Sequence, residues 1–116
     1  MSRLPPDNGS KGRAGEDSAA AYLERAGYRV VRRNLRLPGG EVDLLCRDGE
    51  TIVFVEVKSR TTARFGRALS AVDARKRATL RRLAADYVQI VAPNAGVRFD
   101  VVAVDGDRIT LHRNAF

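Results

Sequence analysis

The sequence predicts one mixed α/β domain whose elements follow the order α-β-β-β-α-β-β. Runs rich in Val, Ile, Leu and Phe are separated by turn residues such as Asp48-Gly49 and Asp105-Gly106, a pattern typical of strands joined by tight turns. Two longer stretches carry apolar residues at helical spacing. At 116 residues, 44% of them hydrophobic, the chain can bury one core, so we expect helices packed against a mixed sheet.

The N-terminal part predicts a loose tail followed by the first helix. Residues 1–10 are rich in Pro, Gly, Asn and Ser, so we expect a flexible tail there and a single folded domain over 11–116. The helix is predicted from about Lys11 to Ala26, with Ser10 as its cap and Gly27 as its stop. Its apolar stripe comprises Ala19, Ala20, Leu23 and Ala26.

The middle of the chain predicts three strands, which we expect over 28–36, 41–47 and 51–59. The first two are separated by Pro38-Gly39-Gly40, and the last two form a hairpin at Asp48-Gly49. A polar loop over 60–67 follows.

A second, longer helix is predicted from about Leu69 or Ser70 to Val91, where Pro93-Asn94-Ala95-Gly96 ends it. The residues expected to face inward are Val72, Leu80, Leu83, Tyr87 and Ile90 or Val91. Two further strands, over 97–104 and 108–113, complete the sheet.

The charge of the chain narrows the choice of partner. The formal net charge is +7, and most of the 21 basic residues are arginines, whose flat guanidinium groups suit phosphate oxygens. One interpretation is that this charge serves solubility alone. The other is a phosphate-binding surface, and nucleic acid is then favoured over a membrane because the sequence has no basic amphipathic helix with aromatic anchors.

Other features indicate a cytoplasmic protein without a membrane partner. The sequence has no apolar run long enough to cross a membrane and no secretory signal at its N-terminus. Its single cysteine, Cys46, excludes an internal disulfide and lies in an apolar strand, where we expect it to pack as a small hydrophobe.

Two charged residues lie in an otherwise apolar strand that reads as central and buried. Side chains alternate faces along a strand, so Glu56 and Lys58 point to the same side. A buried carboxylate and amine must be paired with each other or must bind a metal, which leaves a structural ion pair as one interpretation. Asp43 favours the other, because the Asp48-Gly49 hairpin brings it towards Glu56, and two close carboxylates repel unless a cation lies between them.

The expected chemistry follows from this arrangement. Hard oxygen ligands favour Mg²⁺ or Mn²⁺, which would be held by Asp43 and Glu56, lower the pKa of a bound water and polarise a phosphoryl oxygen. Lys58 would orient the attacking water or offset charge in the transition state. Glu16 lies on the apolar face of the first helix and would add a further acidic ligand, directly or through water. The alternative for Glu16 is a solvated glutamate near the start of that helix.

The order acid, Asp, Glu-x-Lys resembles the PD-(D/E)XK nuclease superfamily, which includes restriction enzymes and archaeal Holliday junction resolvases. The resemblance matches the catalytic Asp to Asp43, the Glu-x-Lys to Glu56-Val57-Lys58 and the helix glutamate of the resolvases to Glu16. The usual Pro before the Asp is absent, since Glu41-Val42 precede it. The resemblance implies a restriction-endonuclease-like fold in which Asp43, Glu56 and Lys58 are catalytic.

A closer resemblance covers nearly the whole chain after the tail. The sequence resembles the YraN family, small bacterial proteins classed as endonuclease-like, which implies the same fold and a nuclease-type site but no defined substrate. The segments that carry this resemblance are Gly15-Glu16, Gly27-Tyr28, Asn34, Gly40-Glu41-Val42-Asp43-Leu44, Phe54-Val55-Glu56-Val57-Lys58-Ser59-Arg60, Arg98-Phe99-Asp100 and Asn114-Ala115-Phe116.

Basic residues around the site are the predicted nucleic-acid contacts. Arg60 follows Lys58 and is placed to hold a phosphate at the edge of the site. Arg64 and Arg67 flank Phe65 in the polar loop, where they would grip a backbone or stack on a base, unless the loop is simply solvated. Lys76 falls on the inward stripe of the second helix and reaches the site or a phosphate, unless it extends into solvent.

Two further groups of charged residues receive simpler interpretations. The other arginines of the second helix are predicted to form an exposed basic face for non-specific phosphate contact; they are Arg75, Arg77, Arg81 and Arg82. Arg98 and Asp100 share a strand face and are predicted to form a structural pair.

We therefore expect a metal-dependent nuclease acting on DNA, with branched DNA favoured only by the resemblance to resolvases. Cutting two strands with one site per chain is easiest with two chains, which favours a homodimer. The alternatives are a nucleic-acid-binding module of the same fold that is inactive or needs a partner, and a structural protein whose basic surface meets an acidic partner.

Overall fold

The computed structural model describes the backbone of residues 9–60 and 74–116, and side chains within 14–59 and 74–116. In these ranges the chain forms two helices and one five-stranded sheet, in the predicted order α-β-β-β-α-β-β. The mixed α/β layout is thereby confirmed. The elements are α1 (Gly9–Arg25), β1 (Arg29–Leu37), β2 (Gly40–Asp48), β3 (Thr51–Arg60), α2 (Ala74–Val91), β4 (Gly96–Asp105) and β5 (Arg108–His112).

The strands lie in the sheet in the order in which they occur in the chain. Neighbouring strands are antiparallel except β3 and β4, which are parallel because α2 crosses over between them. The tight turns at Gly49 and Gly106 join antiparallel strands, and both glycines have positive φ values, of 63° and 64°, that such turns favour. The central strand β3 is therefore paired on both sides.

The two helices cover opposite faces of the sheet. Val53 and Val55 of β3 pack in the core beneath α1, whereas Ile52 and Phe54 pack beneath α2. This alternation confirms the predicted division of faces along β3. Helix α1 contributes Ala19 and Leu23 to its core, and helix α2 contributes Leu80, Leu83, Ala84 and Val88 to the other.

Several boundary predictions need correction. Helix α1 begins at Gly9, so Gly9 and Ser10 belong to the helix and not to the predicted tail, and Ser10 is not its cap. Extending a helix that has already formed adds one hydrogen bond per residue, which outweighs the weak propensity of these residues. Residues 1–8 lie outside the described residues, as do all of the predicted loop over 60–67 except its first residue and the predicted start of the second helix at Leu69 or Ser70.

Three predicted core residues are exposed. Ala26 lies beyond the end of α1 and faces solvent. Ile90 and Val91 of α2 are 83% and 56% exposed, although helical spacing places Ile90 almost directly below the buried Leu83. The last turn of α2 extends past the core, so the direction of these side chains was predicted correctly and their burial was not. Val72 lies outside the described residues.

Cys46 is fully buried, as predicted, and its burial raises the pKa of its thiol to about 12. The thiol is therefore protonated and unreactive at neutral pH. Neither of the described helices is long and apolar enough to span a membrane.

A buried polar network fixes β4 to the rest of the fold. The Asp100 carboxylate is fully buried and accepts hydrogen bonds from the Tyr28 hydroxyl at 2.7 Å, from Arg98 Nε at 3.0 Å and from the Asn114 amide at 2.9 Å. Arg98 also contacts Asp48 Oδ2 at 3.0 Å, at the end of β2. The predicted Arg98–Asp100 pair is thus confirmed, as part of a larger network.

The last residue of the chain packs on the same strand. The Ala115 amide donates to the Phe99 carbonyl at 2.7 Å, and the Phe116 ring stacks on the Phe99 ring with centroids 5.2 Å apart. The Phe99 ring stacks in turn on the buried Phe54 ring, with centroids 5.8 Å apart. The C-terminal segment therefore belongs to the core beneath α2.

Candidate active site

Glu56 is a carboxylate inside the core of the sheet. It lies on the central strand β3, on the face beneath α2, and is only 3% exposed. Its Oε2 atom lies 2.5 Å from Lys76 Nζ and 3.6 Å from Lys58 Nζ. Its Oε1 atom is buried and has no hydrogen-bond partner among the described residues. A buried carboxylate oxygen without a donor is costly, and such an atom needs a functional explanation.

Asp43 lies beside Glu56 where β2 and β3 separate. The regular pairing of these strands ends at Leu44 and Val55, one residue before Asp43 and Glu56 would meet. Beyond that point the Val57 amide donates to Asp43 Oδ2 at 2.8 Å instead of to a backbone carbonyl of β2. The side chain of Asp43 therefore takes the place of a ladder hydrogen bond, which fixes it next to Glu56.

The electrostatics of Asp43 reflect this position. Burial raises the pKa of its carboxyl group from 3.8 to about 6, and the negative charges of Glu56 and Glu16 act in the same direction. The Val57 amide and Lys76 lower the pKa and only partly compensate. Two carboxylates that repel each other in a partly buried site form an arrangement that a cation stabilises.

Lys58 and Lys76 supply positive charge from two different elements. Lys58 lies two residues after Glu56 on β3, as predicted, and Lys76 reaches Glu56 from α2. The alternative in which Lys76 extends into solvent is wrong, because its ammonium group contacts the buried carboxylate. The simple Glu56–Lys58 ion pair is also insufficient, since the shorter contact is to Lys76.

Glu16 approaches the site from α1 but has other partners. The Asn34 side-chain amide donates to Glu16 Oε1 at 3.1 Å, and Arg33 Nη2 lies 4.0 Å from the same oxygen. The side chain of Glu16 is 15% exposed, so it is not the solvated glutamate of the alternative interpretation. Its charge acts on Asp43, which places it at the margin of the site.

Asn34 is a residue that the sequence analysis did not assign to the site. It lies in β1 between the pairs Arg33–Leu44 and Leu35–Val42, and therefore across from Asp43. Its φ of 53° is in the left-handed region, which Asn tolerates better than most residues. The available signal was an Asn inside a strand, where this residue is depleted.

Gly15 explains how α1 can bring Glu16 close to the sheet. A Cβ atom at this position would overlap Ser59 Oγ on β3, so the absence of a side chain lets α1 pack closely against the Ser59 hydroxyl group. The sequence signal was the Gly in the middle of a predicted helix, a position that Gly normally destabilises.

Replacing Gly15 with alanine is expected to have opposite effects in two backgrounds. In the wild type the new methyl group overlaps Ser59 Oγ, and the free energy of unfolding falls. In the Ser59→Ala background the overlap is absent, and the better helix propensity of alanine raises the free energy of unfolding by up to about 1 kcal/mol. Urea unfolding of the four proteins measures both effects, and an effect of the same sign in both backgrounds would contradict this account.

An open cleft of about 430 Å³ reaches Asp43 and Lys76, the two residues that adjoin Glu56. It lies between the β1–β2 turn and the N-terminal half of α2. Its lining residues are Gly40, Glu41, Asp43, Arg75, Lys76, Thr79 and Leu80. Asp43 and Lys76 thus line a solvent-accessible groove that has basic residues on its α2 side.

The residues present fit a hard divalent cation that takes part of its ligands from water and substrate. Within residues 9–60 and 74–116, no group of three or more His, Cys, Asp or Glu side chains is arranged to hold a metal ion. Two carboxylates suffice for Mg²⁺, which commonly takes its other ligands from water and from substrate phosphates. Such an ion would bind the carboxylate of Asp43 and the neighbouring Glu56 Oε1, which is buried and has no donor in the described part of the chain.

The structure therefore brings together Asp43, Glu56, Lys58 and Lys76, with Glu16 at the margin. Arg60, the predicted phosphate contact, is the last residue of β3. Its side chain lies outside the described residues. Arg64 and Arg67 also lie outside them. Nucleic-acid binding by these residues and by Lys76 stays a prediction.

Comparison with known proteins places this chain among relatives of similar length. The model of the uncharacterised protein family UPF0102 matches residues 15–104. A UPF0102 protein of Shewanella loihica is 48% identical over 107 residues, which cover 92% of this chain and 94% of that protein. A UPF0102 protein of Dechloromonas aromatica is 46% identical over 92% of this chain and 88% of its own length. A UPF0102 protein of Moorella thermoacetica is 48% identical over 84% of this chain and 82% of its own length.

Proposed function

The chain belongs to the uncharacterised protein family UPF0102, and we propose that it is a metal-dependent nuclease that hydrolyses phosphodiester bonds of DNA. This family is YraN-like, so the family part of the resemblance is confirmed, and membership in the PD-(D/E)XK superfamily is part of the proposal. The observation that carries the proposal is Glu56, a buried carboxylate beside Asp43. One of its oxygens contacts two lysines, and the other has no hydrogen-bond donor among the described residues.

Each side chain has a role that its position supports. Asp43 and Glu56 would hold Mg²⁺ or Mn²⁺, which when bound supplies a Lewis acid for the phosphoryl oxygen and an acidified water. Lys58 lies 3.6 Å from Glu56 Oε2, where it can orient the attacking water and stabilise the negative charge that develops on the phosphate. The hydrogen bond from Asn34 holds Glu16 at the margin of the site, where Glu16 adds negative charge that favours a cation.

Lys76 has a different role from Lys58. Its ammonium group lies nearer to Glu56 Oε2 and stands on the cleft side of the carboxylate. It neutralises the carboxylate from the direction in which substrate would arrive, and it would move from Glu56 to a substrate phosphate when a cation takes over that neutralisation.

A cleavage assay tests the proposal. Labelled single strands, duplex, flap, four-way junction and structured RNA are incubated with Mg²⁺ or Mn²⁺ and the wild type, Glu56→Gln or Lys58→Ala. We expect the wild type to cut at least one DNA substrate and Glu56→Gln to reduce the rate on the order of 10³-fold, because the ligand removed supports several kcal/mol of charge stabilisation.

The matched control is Glu50→Gln, the same change at an exposed residue in the β2–β3 turn. It should cut like the wild type. Equal cutting by Glu56→Gln and the control, or no cutting by the wild type on any substrate, would contradict an autonomous nuclease. DNA binding that survives in Glu56→Gln separates loss of chemistry from loss of binding.

One observation favours the second candidate, a nucleic-acid-binding module of the same fold that is inactive or needs a partner. The ammonium group of Lys76 lies 2.5 Å from Glu56 Oε2 and already neutralises the carboxylate that a metal ion would otherwise neutralise. A protein in which this ion pair persists would bind DNA without cutting it. Unchanged DNA affinity on addition of Mn²⁺, with no cleavage, is the result expected from that module.

A further inference from the structure

We propose that Arg75 and Arg82 of α2 bind the phosphate backbone of one DNA strand and guide it over the β1–β2 turn to Asp43 and Glu56. This inference rests on the proposed function and extends it, because it names the path of the substrate and the residues that hold it. It also divides the predicted basic face of α2 into two parts with different roles.

The four arginines of α2 are not equivalent. The guanidinium carbons of Arg77 and Arg81 lie 5.7 and 6.0 Å from the centroid of the Phe116 ring, so these two side chains are engaged in holding the C-terminal residue. Arg75 and Arg82 are exposed and form no ion pair with any described residue. Among the described arginines of α2, this second pair has no such partner and is the better placed to bind a polyanion.

Arg75 and Arg82 lie on the side of α2 that faces the cleft. Arg75 lines the cleft together with Asp43 and Thr79. Arg82 Nη2 lies 2.8 Å from the position that a Cβ on Gly39 would occupy, so its guanidinium group covers the β1–β2 turn. The absence of a side chain at Gly39 is what allows this close approach.

The spacing of the two arginines suits a nucleic-acid strand. They are seven residues apart, which corresponds to about 10 Å along a helix axis. One strand of B-DNA carries a phosphate about every 3.4 Å of its axis, so the pair matches phosphates about three nucleotides apart. The Arg75 end of this path lies at Asp43, and the scissile phosphate is therefore expected at that end.

Two acidic residues lie near this path, and one of them, Asp86, marks its end. Glu41 lines the cleft, but it lies across from Arg36 in the β1–β2 pairing, which offsets its charge. Asp86 lies one helical turn beyond Arg82 and faces an apolar groove with Leu37 and Tyr87. A phosphate chain is therefore expected to leave α2 at Arg82.

A binding measurement with charge-matched variants tests the inference. Arg75→Gln/Arg82→Gln is compared with Arg25→Gln/Arg108→Gln, which removes the same charge from exposed positions on α1 and β5. Fluorescence anisotropy with labelled single-stranded and duplex DNA is recorded in EDTA, so that no cleavage occurs. Thermal unfolding confirms that both variants fold.

We expect the Arg75/Arg82 variant to bind about tenfold or more weakly than the control at low salt. The slope of log K against log salt is negative, and for the Arg75/Arg82 variant it should be less negative by about 2 than for the control, since two phosphate contacts are lost. Equal affinity and equal slope for the two double variants would overturn the inference, as would a wild type that does not bind DNA.

The cleavage assay distinguishes this inference from the proposed function. If the wild type binds DNA through Arg75 and Arg82 but cuts no substrate with Mg²⁺ or Mn²⁺, the nuclease is overturned and the binding path stands. If it cuts in a Glu56-dependent manner and the two double variants bind alike, the binding path alone is overturned.

Discussion

Asp100→Ala is expected to lower the free energy of unfolding by about 3–5 kcal/mol, the largest stability loss that we expect from a single substitution in this protein. The Asp100 side chain is fully buried and accepts hydrogen bonds from Tyr28, Arg98 and Asn114. Its removal leaves the Tyr28 hydroxyl and the Asn114 amide without this acceptor and breaks the ion pair with Arg98. Since domains of this kind are stable by about 5–15 kcal/mol, the variant should be close to unfolding at 37 °C.

Urea unfolding followed by circular dichroism measures this loss. The matched control is Asp105→Ala, the same substitution at the end of the same strand, where no described hydrogen bond or ion pair is broken. It should change stability by less than about 1 kcal/mol. Asp100→Asn keeps the shape and two polar atoms, so its loss should lie between the two. A loss for Asp100→Ala no greater than for the control would show that the network does not hold β4 in place.

This prediction also assigns a role to one of the sequence segments that resemble the YraN family. Arg98-Phe99-Asp100 lies far from the carboxylates of the candidate site in the chain and contributes no ligand to it. Its polar residues fix β4 to Tyr28 and Asp48, and Phe99 connects the core to the C-terminal Phe116. Asp100→Ala is therefore expected to lower the stability of the fold and not to act on the candidate site directly.

The sheet could be predicted from the sequence because its signals are local. Alternation of apolar residues and glycine turns specify each strand and each hairpin within about ten residues of chain. The carboxylate pair could be predicted for the same reason, since the Asp48-Gly49 turn determines which residue of β2 meets Glu56. Ile90 shows where local signals fail: helical spacing gives the direction of a side chain, but the extent of the core beneath it depends on the whole fold.

The finer parts of the site depend on contacts between distant elements. Lys76 belongs to α2 and Glu56 to β3, and only the packing of that helix on that strand determines their distance. Asn34 becomes a partner of Glu16 because α1 crosses β1, which no spacing in the sequence encodes. Gly15 acquires its meaning from Ser59, 44 positions later in the sequence. Such residues are visible in the sequence only as exceptions to local preference.

Asp43→Asn is expected to stabilise the protein at pH 8 in EDTA by up to about 3 kcal/mol and to leave it nearly unchanged at pH 4. The pKa of Asp43 in the folded protein is about 6, compared with its ordinary value of 3.8. The folded state therefore binds the proton more tightly than the unfolded state does. The resulting stability is fully present below pH 4 and is lost as the pH rises through 6, and asparagine, which has no charge, avoids this loss.

Urea unfolding at the two pH values gives the difference, and Asp107→Asn in the exposed β4–β5 turn is the control. The control should change stability by no more than about 0.5 kcal/mol at either pH. A destabilised Asp43→Asn at pH 8 would mean that the hydrogen bond from the Val57 amide outweighs the burial and repulsion of the carboxylate.

Divalent metal should make the wild type more stable than Asp43→Asn, the reverse of the order expected in EDTA. If Asp43 and Glu56 bind Mn²⁺, the ion stabilises the folded wild type by an amount that grows with its concentration, and Asp43→Asn gains much less. Because the ligands must be deprotonated, the rise in the melting temperature of the wild type should be larger at pH 8 than at pH 5. An equal rise for both proteins would place the ion elsewhere. A rise confined to the wild type would mean that the stability lost through the charge of Asp43 is recovered when a cation binds, as expected of a carboxylate retained for metal binding.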